Sequence, residues 1–172
     1  DPGDEHLGLG DGQRWYSVDH DQRLLRGLAL QAMMLALPGS LYLRQGDEIA
    51  LSDADKPTAP LELASMVAEH AQAQSSQLGS PAATVRHAAH VRAEYNLACA
   101  PMAFVTGLEW CPPQALVFLV RGVLVVVNTS DSPIILSAEA KVLLSSQPLR
   151  QDQGRLLVPP MTTTWLEATT VA

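Results

Sequence analysis

The stretch LALQAMMLALPGSLYLRQGDEIAL, residues 28–51, decides how the fold of this chain is interpreted. Residues 28–37 are apolar and rich in Ala, Leu and Met, which are strong helix formers. Pro38-Gly39 ends the helix, because the residue before a proline disfavours the helical conformation and glycine allows a tight turn. Residues 40–43 are short, apolar and partly aromatic, and they predict a buried strand. The polar residues 45–48 predict an acidic loop after that strand, at the edge where ligands gather in α/β proteins.

The same stretch resembles the segment around the last barrel strand of the α-amylase-type glycoside hydrolases, especially their α-glucosidase and oligo-1,6-glucosidase branch. That family reads LLLPG-T/S-x-x-x-Y-x-G-D/E/Q-E-I/L-G, and residues 37–40 and 46–49 match it. Ala50 replaces the usual glycine, and Arg44-Gln45 replaces a usual Tyr-Tyr or Tyr-Gln pair. Asp47-Glu48 is not expected to be a catalytic dyad, because adjacent residues point in different directions; loop structure is the expected role. The alternative to the resemblance is a generic buried helix, turn and strand.

Residues 19–23, DHDQR, are the stretch with a catalytic character. In the family, a Trp and a few apolar residues precede Asn-His-Asp-Gln; here Trp15 lies upstream of His-Asp-Gln, in a short strand predicted over residues 15–18, and Asp19 replaces the Asn. The resemblance implies that Asp21 is the catalytic carboxylate that hydrogen-bonds the sugar hydroxyls and supports ring distortion towards an oxocarbenium-like transition state, with His20 as a neighbouring substrate-binding residue. The alternative role for Asp21 is an N-terminal cap and dipole partner of the following helix, which is predicted over residues 22–37.

Two more helices are predicted downstream. Residues 61–74 place apolar side chains at helical spacing. Residues 81–95 follow a serine N-cap and begin with proline, which suits the first turn, and they resemble the last barrel helix of the family. His87, His90 and Glu94 share a face of that helix and are candidate zinc ligands. Surface histidines are the favoured interpretation, and we expect neither a metal nor another cofactor.

From residue 115 onward, short runs rich in Val and Leu alternate with turn signals, among them Arg121-Gly122 and Asp152-Gln153-Gly154, and predict an antiparallel β-sandwich. These runs also resemble the C-terminal domain of the α-glucosidases. The matching positions are Val117-Phe118, Arg121-Gly122, 124–128, 142–146, 158–160 and 165–166. Trp110, a candidate for an edge strand, and Trp165 are candidates for stacking on sugars, but core packing is the favoured interpretation of both. The fold class is therefore an α/β segment, the last strands and helices of a (β/α)8 barrel over residues 1–107, followed by an all-β antiparallel sandwich over 108–172.

Composition narrows the classes of partner. The net charge of −7 argues against nucleic acid or an anionic membrane as the main partner. Only 17% of the residues are charged, below the usual quarter, which suggests that the rest of a larger enzyme covers part of the surface. The first residues have no signal-peptide character, and no stretch predicts a membrane span. Cys99 and Cys111 are too few for a disulfide framework or zinc site, and reduced thiols in a cytoplasmic protein are expected; the alternative is a single bridge between them in an exported chain.

The resemblance implies the C-terminal fragment of a retaining α-glucosidase that acts on α-glucosidic bonds of oligosaccharides. Such enzymes need a nucleophile and a general acid about 5 Å apart. The family carries the nucleophile in a G-F-R-x-D-type motif that these 172 residues lack, along with the acid Glu motif. We therefore expect no activity from the chain alone, with the missing barrel portion as its partner. The alternatives are a non-catalytic homologue resembling the amino-acid transporter heavy chains, which also carry GDEI, and a free-standing β-sandwich interaction module.

Overall fold

A computed structural model describes residues 20–137 and 139–170. The strand predicted for residues 15–18, with Trp15, and the neighbouring Asp19 lie outside the described residues. The helices in the described part are α1 His20–Ala36, α2 Pro60–Gln74 and α3 Pro81–Glu94. All three were predicted, to within one or two residues at each end.

Local chemistry explains where these helices begin and end. The Ser80 side chain accepts a hydrogen bond from the backbone N–H of Ala83 at 3.3 Å, and Pro81 occupies the first turn, where its missing N–H costs nothing. α1 ends before Pro38-Gly39, and Gly39 has a φ of 94°, which glycine adopts without strain. Short 3-10 turns follow the helices. They are Asp47–Ile49, Asp53–Asp55 and Leu97–Cys99.

The rest of the described chain forms two antiparallel sheets, as the alternating runs predict. The strands are β1 Met102–Phe104, β2 Leu116–Val120, β3 Val123–Asn128, β4 Ile134–Ser137, β5 Val142–Ser145, β6 Arg150–Asp152, β7 Arg155–Val158 and β8 Thr162–Glu167. The order is β1-β2-β3-β8-β5 in the five-stranded sheet and β4-β7-β6 in the three-stranded sheet. Every pairing in the described residues is antiparallel. The barrel part of the fold class and the division at 107/108 therefore stay predictions.

Two hairpins use the turn residues that the sequence signals. Arg121 and Gly122 connect β2 to β3 with φ values of 40° and 78°. Gln153 and Gly154 connect β6 to β7 with φ values of 45° and 75°. Positive φ at both central residues is the pattern of a type I′ turn, whose twist matches that of the flanking strands.

The molecule has three layers, and β3 lies in the middle one. Val123, Val125 and Val127 face α1 and α3 in the helix-side core, which also contains Trp165 and Phe118. Leu124 and Val126 face the three-stranded sheet in the inter-sheet core, with Ile134, Val158 and Leu166. All six residues of β3 are buried. The continuous apolar run VLVVV is thus explained, because a strand covered on both faces does not alternate with polar residues.

Two strand predictions were wrong. Residues 40–43 form no strand in the described structure, and the Tyr42 side chain is 89% exposed. Leu41 packs on the helix-side core, so this segment is held by side-chain contact and not by a ladder. Trp110 lies in a turn; the edge strand beside β2 is Met102–Phe104. Trp165 is fully buried, which confirms its predicted place in the core.

Candidate functional site

The predicted site residues occupy the start of α1. His20 and Asp21 form the beginning of its first turn, while their side chains lie outside the described residues. The N-terminal end of a helix carries unpaired backbone N–H groups and a partial positive charge, which stabilise a carboxylate there. The backbone position of Asp21 is therefore compatible both with a sugar-binding role and with a capping role.

A groove of about 470 Å³ begins next to this turn. Arg23, the second residue after Asp21, lies at one end, and Leu24, Gln31 and Met34 continue the wall along α1. The opposite wall comes from the loop after the helix and includes Leu43, Arg44, Asp47 and Leu51. An aliphatic wall with a few polar groups at the rim is typical of small-ligand sites.

The loop wall is held in shape by its own acidic side chains. Gly46 has a φ of 98°, and a Cβ there would lie 3.2 Å from the Leu51 side chain, so this position requires glycine. Asp47 Oδ2 accepts a hydrogen bond from Arg44 N at 3.0 Å, and Glu48 Oε2 accepts one from Gly46 N at 2.8 Å. The predicted role of Asp47-Glu48 in loop structure is confirmed.

Gln31 ties this loop to α1. Its Nε2 donates to the backbone oxygen of Asp47 at 2.8 Å. The sequence analysis did not identify this residue. A glutamine in an otherwise apolar helical run is a weak signal, because its partner is sixteen positions away.

Four charged groups form a network at the rim of the groove. Lys56 Nζ lies 2.8 Å from Asp53 Oδ1 and 3.6 Å from Asp47 Oδ1. Arg44 Nη2 lies 3.6 Å from Asp53 Oδ1 and 3.7 Å from Asp47 Oδ1. The hydrogen bond from Lys56, then its charge and that of Arg44, lower the pKa of Asp53 below its ordinary value of 3.8. Asp53 is thus ionised at neutral pH and is unsuited to the role of general acid.

The candidate zinc ligands on α3 are surface residues. His87 Nε2 lies 2.8 Å from the backbone oxygen of Leu143 on β5, and His90 and Glu94 are exposed. Within residues 20–137 and 139–170, no group of three or more His, Cys, Asp or Glu side chains is arranged to hold a metal ion. His87 and His90 are exposed on α3, as the favoured interpretation predicted.

Arg92 was also missed by the sequence analysis. From α3 it donates to the backbone oxygens of Leu35 at 2.8 Å, Leu37 at 2.5 Å and Gly39 at 2.5 Å. These carbonyls end α1 and begin the turn that leads to the groove loop. Arg92 therefore fixes the direction in which the chain leaves α1.

The arrangement can bind a polar ligand but does not complete a hydrolytic site. The groove rim offers guanidinium, amide and carboxylate groups, which suit a ligand with many hydroxyls. Cleavage of a glycosidic bond by retention needs two further carboxyl groups on opposite sides of the bond.

Of the helices in the described ranges, none combines the length and hydropathy of a bilayer-spanning segment.

Comparison with known proteins gives a fold likeness. No protein-family model matches the chain, and no curated protein does. Among solved structures, Eubacterium rectale Amy13B aligns over 87% of this chain and 35% of its own, with a TM-score of 0.57 and 14% identity. The α-glucosyl transfer enzyme XgtA aligns over 83% of this chain and 35% of its own, with a TM-score of 0.55 and 20% identity.

A mutant of MutB soaked with trehalulose gives a similar result, with a TM-score of 0.56, 15% identity, 83% of this chain and 38% of its own. The chain therefore spans little more than a third of the length of these structures. At such identities the likeness concerns the fold alone. The structural neighbours of this chain are glycoside hydrolases of the α-amylase family, and it shares its mixed helix and antiparallel-sheet fold with part of each.

Proposed function

We propose that this chain is the C-terminal part of a retaining α-glucosidase of the α-amylase family, and that the complete protein acts on α-glucosidic bonds of oligosaccharides. One observation carries the proposal. The His-Asp-Gln motif begins helix α1, and the described fold is similar, over 83 to 87% of this chain, to part of three enzymes of that family. The motif and the fold both favour the same family.

In this proposal, Asp21 binds the hydroxyls of the sugar whose glycosidic bond is cleaved, and His20 contacts the same sugar. Such hydrogen bonds strengthen as the ring flattens towards the oxocarbenium-like transition state. The groove that starts at Arg23 would extend the binding surface from this turn. The rest of the (β/α)8 barrel, to which residues 1–107 would contribute the last part, would supply the nucleophile and the general acid, with the sandwich of residues 108–172 packed beside it.

Reading the gene upstream and in frame tests the proposed place of the chain. We expect a G-F-R-x-D-type nucleophile segment and an acid Glu. A barrel without these carboxylates would instead favour the non-catalytic class that resembles the transporter heavy chains. A gene without a barrel would leave the β-sandwich interaction module.

The cytoplasmic location belongs to the same proposal and rests on the two unpaired thiols, Cys99 and Cys111.

The role of Asp21 is tested in the complete protein with p-nitrophenyl α-glucoside as the substrate. Asp21→Asn keeps the size of the side chain but removes its charge. We expect kcat to fall at least about 100-fold, because hydrogen bonds to the sugar supply several kcal/mol in the transition state. The matched control is Asp131→Asn, an exposed aspartate in the turn between β3 and β4, which should leave kcat unchanged.

Two results would contradict the proposal at different points. Equal kcat values for Asp21→Asn and Asp131→Asn would show that Asp21 has no role in catalysis. A complete protein that hydrolyses no α-glucoside, although it carries both upstream carboxylates, would contradict the proposed activity itself.

A further inference from the structure

Two side chains of β8 reach the backbone of α1. Thr163 Oγ1 donates to the carbonyl oxygen of Ala29 at 2.7 Å, and Trp165 Nε1 donates to that of Ala32 at 3.2 Å. Both side chains are fully buried. These bonds join parts of the chain that are more than 130 positions apart in sequence.

Small residues on α1 make this approach possible. Ala29, Ala32 and Ala36 follow one another at helical spacing, and all three are buried. Without longer side chains between them, the helix backbone lies close to the sheet. A mid-helix carbonyl already accepts the amide four residues on, but its second lone pair is free to accept the Thr or Trp donor.

Bonds at two successive turns fix the helix in two ways. They set its position along its axis and its rotation about that axis. A slip of one residue would move the helix by about 1.5 Å and rotate it by about 100°. The Ala29 carbonyl lies only about 12 Å along the axis from Asp21, because Ala29 is eight positions further along the helix. Over that distance, a helix transmits its placement as a rigid rod.

We propose that Thr163 and Trp165 are positioning residues, which hold α1 so that its first turn, with His20 and Asp21, is presented correctly to the sugar. This inference rests on the function proposed above. It gives the sheet a part in catalysis beyond covering the helices, because a displacement of about 1 Å in a binding group can cost about 100-fold in rate.

A purely structural role would produce a different pattern, and the chain offers a matched pair to separate the two. Thr163 and Thr164 are neighbours in β8, and both are fully buried. The Thr164 hydroxyl lies 3.2 Å from Ser145 Oγ on β5 and not against α1. Thr163→Val and Thr164→Val each remove one buried hydroxyl from the same strand with little change in shape. Their effects on stability should therefore be similar, and their effects on α1 should differ.

The experiment uses the complete protein and p-nitrophenyl α-glucoside, with kcat, KM, urea unfolding and amide hydrogen exchange of α1 measured for each variant. We expect Thr163→Val to lower kcat at least about tenfold and to speed exchange in α1. Thr164→Val should leave both within about twofold of the unmodified protein. Thr163→Ser, which retains the hydroxyl, should restore kcat.

Trp165→Phe, which removes the N–H donor but keeps an aromatic ring, provides a second test if Thr163→Val does not fold. Equal kcat and equal α1 exchange in the Thr163 and Thr164 variants would overturn the proposal. If the complete protein has no glucosidase activity, the proposed function fails, and hydrogen exchange alone tests whether Thr163 positions α1. Faster exchange of α1 in Thr163→Val but not in Thr164→Val supports this positioning, and equal exchange in the two variants contradicts it.

Discussion

At the scale of single residues, Arg92 shows how one side chain on α3 caps the end of α1 and fixes the turn that follows it. A helix leaves its last four carbonyl groups without intrahelical partners, and Pro38 removes one of the amides that could have served them. The guanidinium of Arg92 has five N–H donors in a planar fork, and it reaches the oxygens of Leu35, Leu37 and Gly39 from a neighbouring helix. The end of α1 is therefore capped by a side chain that is distant in sequence, and not by residues next to the helix end.

Arg92→Met should lower the free energy of unfolding by about 2 kcal/mol, because it keeps the aliphatic stem but leaves partly buried carbonyls without their charged donor. Urea denaturation measures the change. Arg86→Met is the matched control on the same helix, since Arg86 is exposed, and it should change the stability by less than about 0.5 kcal/mol. Equal losses in both variants would show that the three hydrogen bonds contribute nothing.

The difference between Ser80 and Arg92 explains which residues were predictable. Ser80 acts on an amide three positions away, so the pattern Ser-Pro before a helix identifies it. Arg92 acts on carbonyls 53 to 57 positions away, and no local pattern reports such a partner. The same distance problem hid Thr163 and its bond to Ala29.

At the scale of elements, a carboxylate joins the end of α3 to β5 and β8. Glu167 Oε1 accepts a hydrogen bond from Tyr95 Oη at 3.1 Å and from Lys141 Nζ at 3.2 Å. Burial, and then Glu167, raise the pKa of Tyr95 above its ordinary value of 10.0. The hydrogen bond to Glu167 and its charge raise the pKa of Lys141 above 10.5.

These shifts predict a loss of stability in alkali. Tyr95 and Lys141 both hold their protons more tightly in the folded state, so their contribution is complete below pH 10.0 and is lost as the pH rises through the folded-state pKa values. Urea unfolding at a series of pH values from about 9 to 12 should show this fall. In Glu167→Gln the fall should be smaller, whereas Glu139→Gln, at an exposed site, should behave like the unmodified protein. Identical profiles for all three proteins would rule out the Glu167 contacts as the cause.

How well each element was predicted depended on the sequence separation of the residues that its hydrogen bonds join. The helices were predicted well, since their bonds join residues four apart and their caps are local. The strand predicted at residues 40–43 does not form, because a strand exists only where another strand pairs with it, and composition does not identify such a partner. The hairpins were predicted correctly because their two strands are close in sequence. Each pair is joined by a two-residue turn, Arg121-Gly122 or Gln153-Gly154.

At the scale of the whole molecule, the five-stranded sheet is the middle of three layers. Helices cover one face and the three-stranded sheet covers the other. The antiparallel sheets were predictable from the Val- and Leu-rich runs and their turns. The docking of α1 onto β8 was not, since it depends on contacts between the two ends of the described chain. The sugar-binding roles of Asp21 and His20 and the completed barrel stay predictions.

The layered arrangement makes both faces of β3 equally sensitive to truncation. Val125→Ala opens the helix-side core and Val126→Ala opens the inter-sheet core, and each valine is fully buried. We expect each change to reduce the free energy of unfolding by about 2 kcal/mol, from the lost methyl groups and the cavities left behind. The comparison is Val142→Ala on β5, where the side chain is 39% exposed and the loss should be under about 1 kcal/mol. A loss at only one of the two β3 positions would mean that one layer is loosely packed.

The position of β8 has a consequence for how the molecule is made. Of the strands in the described part of the chain, β8 comes last in sequence, yet it lies inside the five-stranded sheet, between β3 and β5. While a ribosome is still producing the residues before Thr162, one edge of β3, a strand buried along its whole length, has no partner in the nascent polypeptide. Unpaired apolar edges are the surfaces that aggregate and that chaperones shield. Each newly synthesised copy of this chain therefore passes through a stage in which its central sheet stands open, and this stage ends only when β8 is inserted.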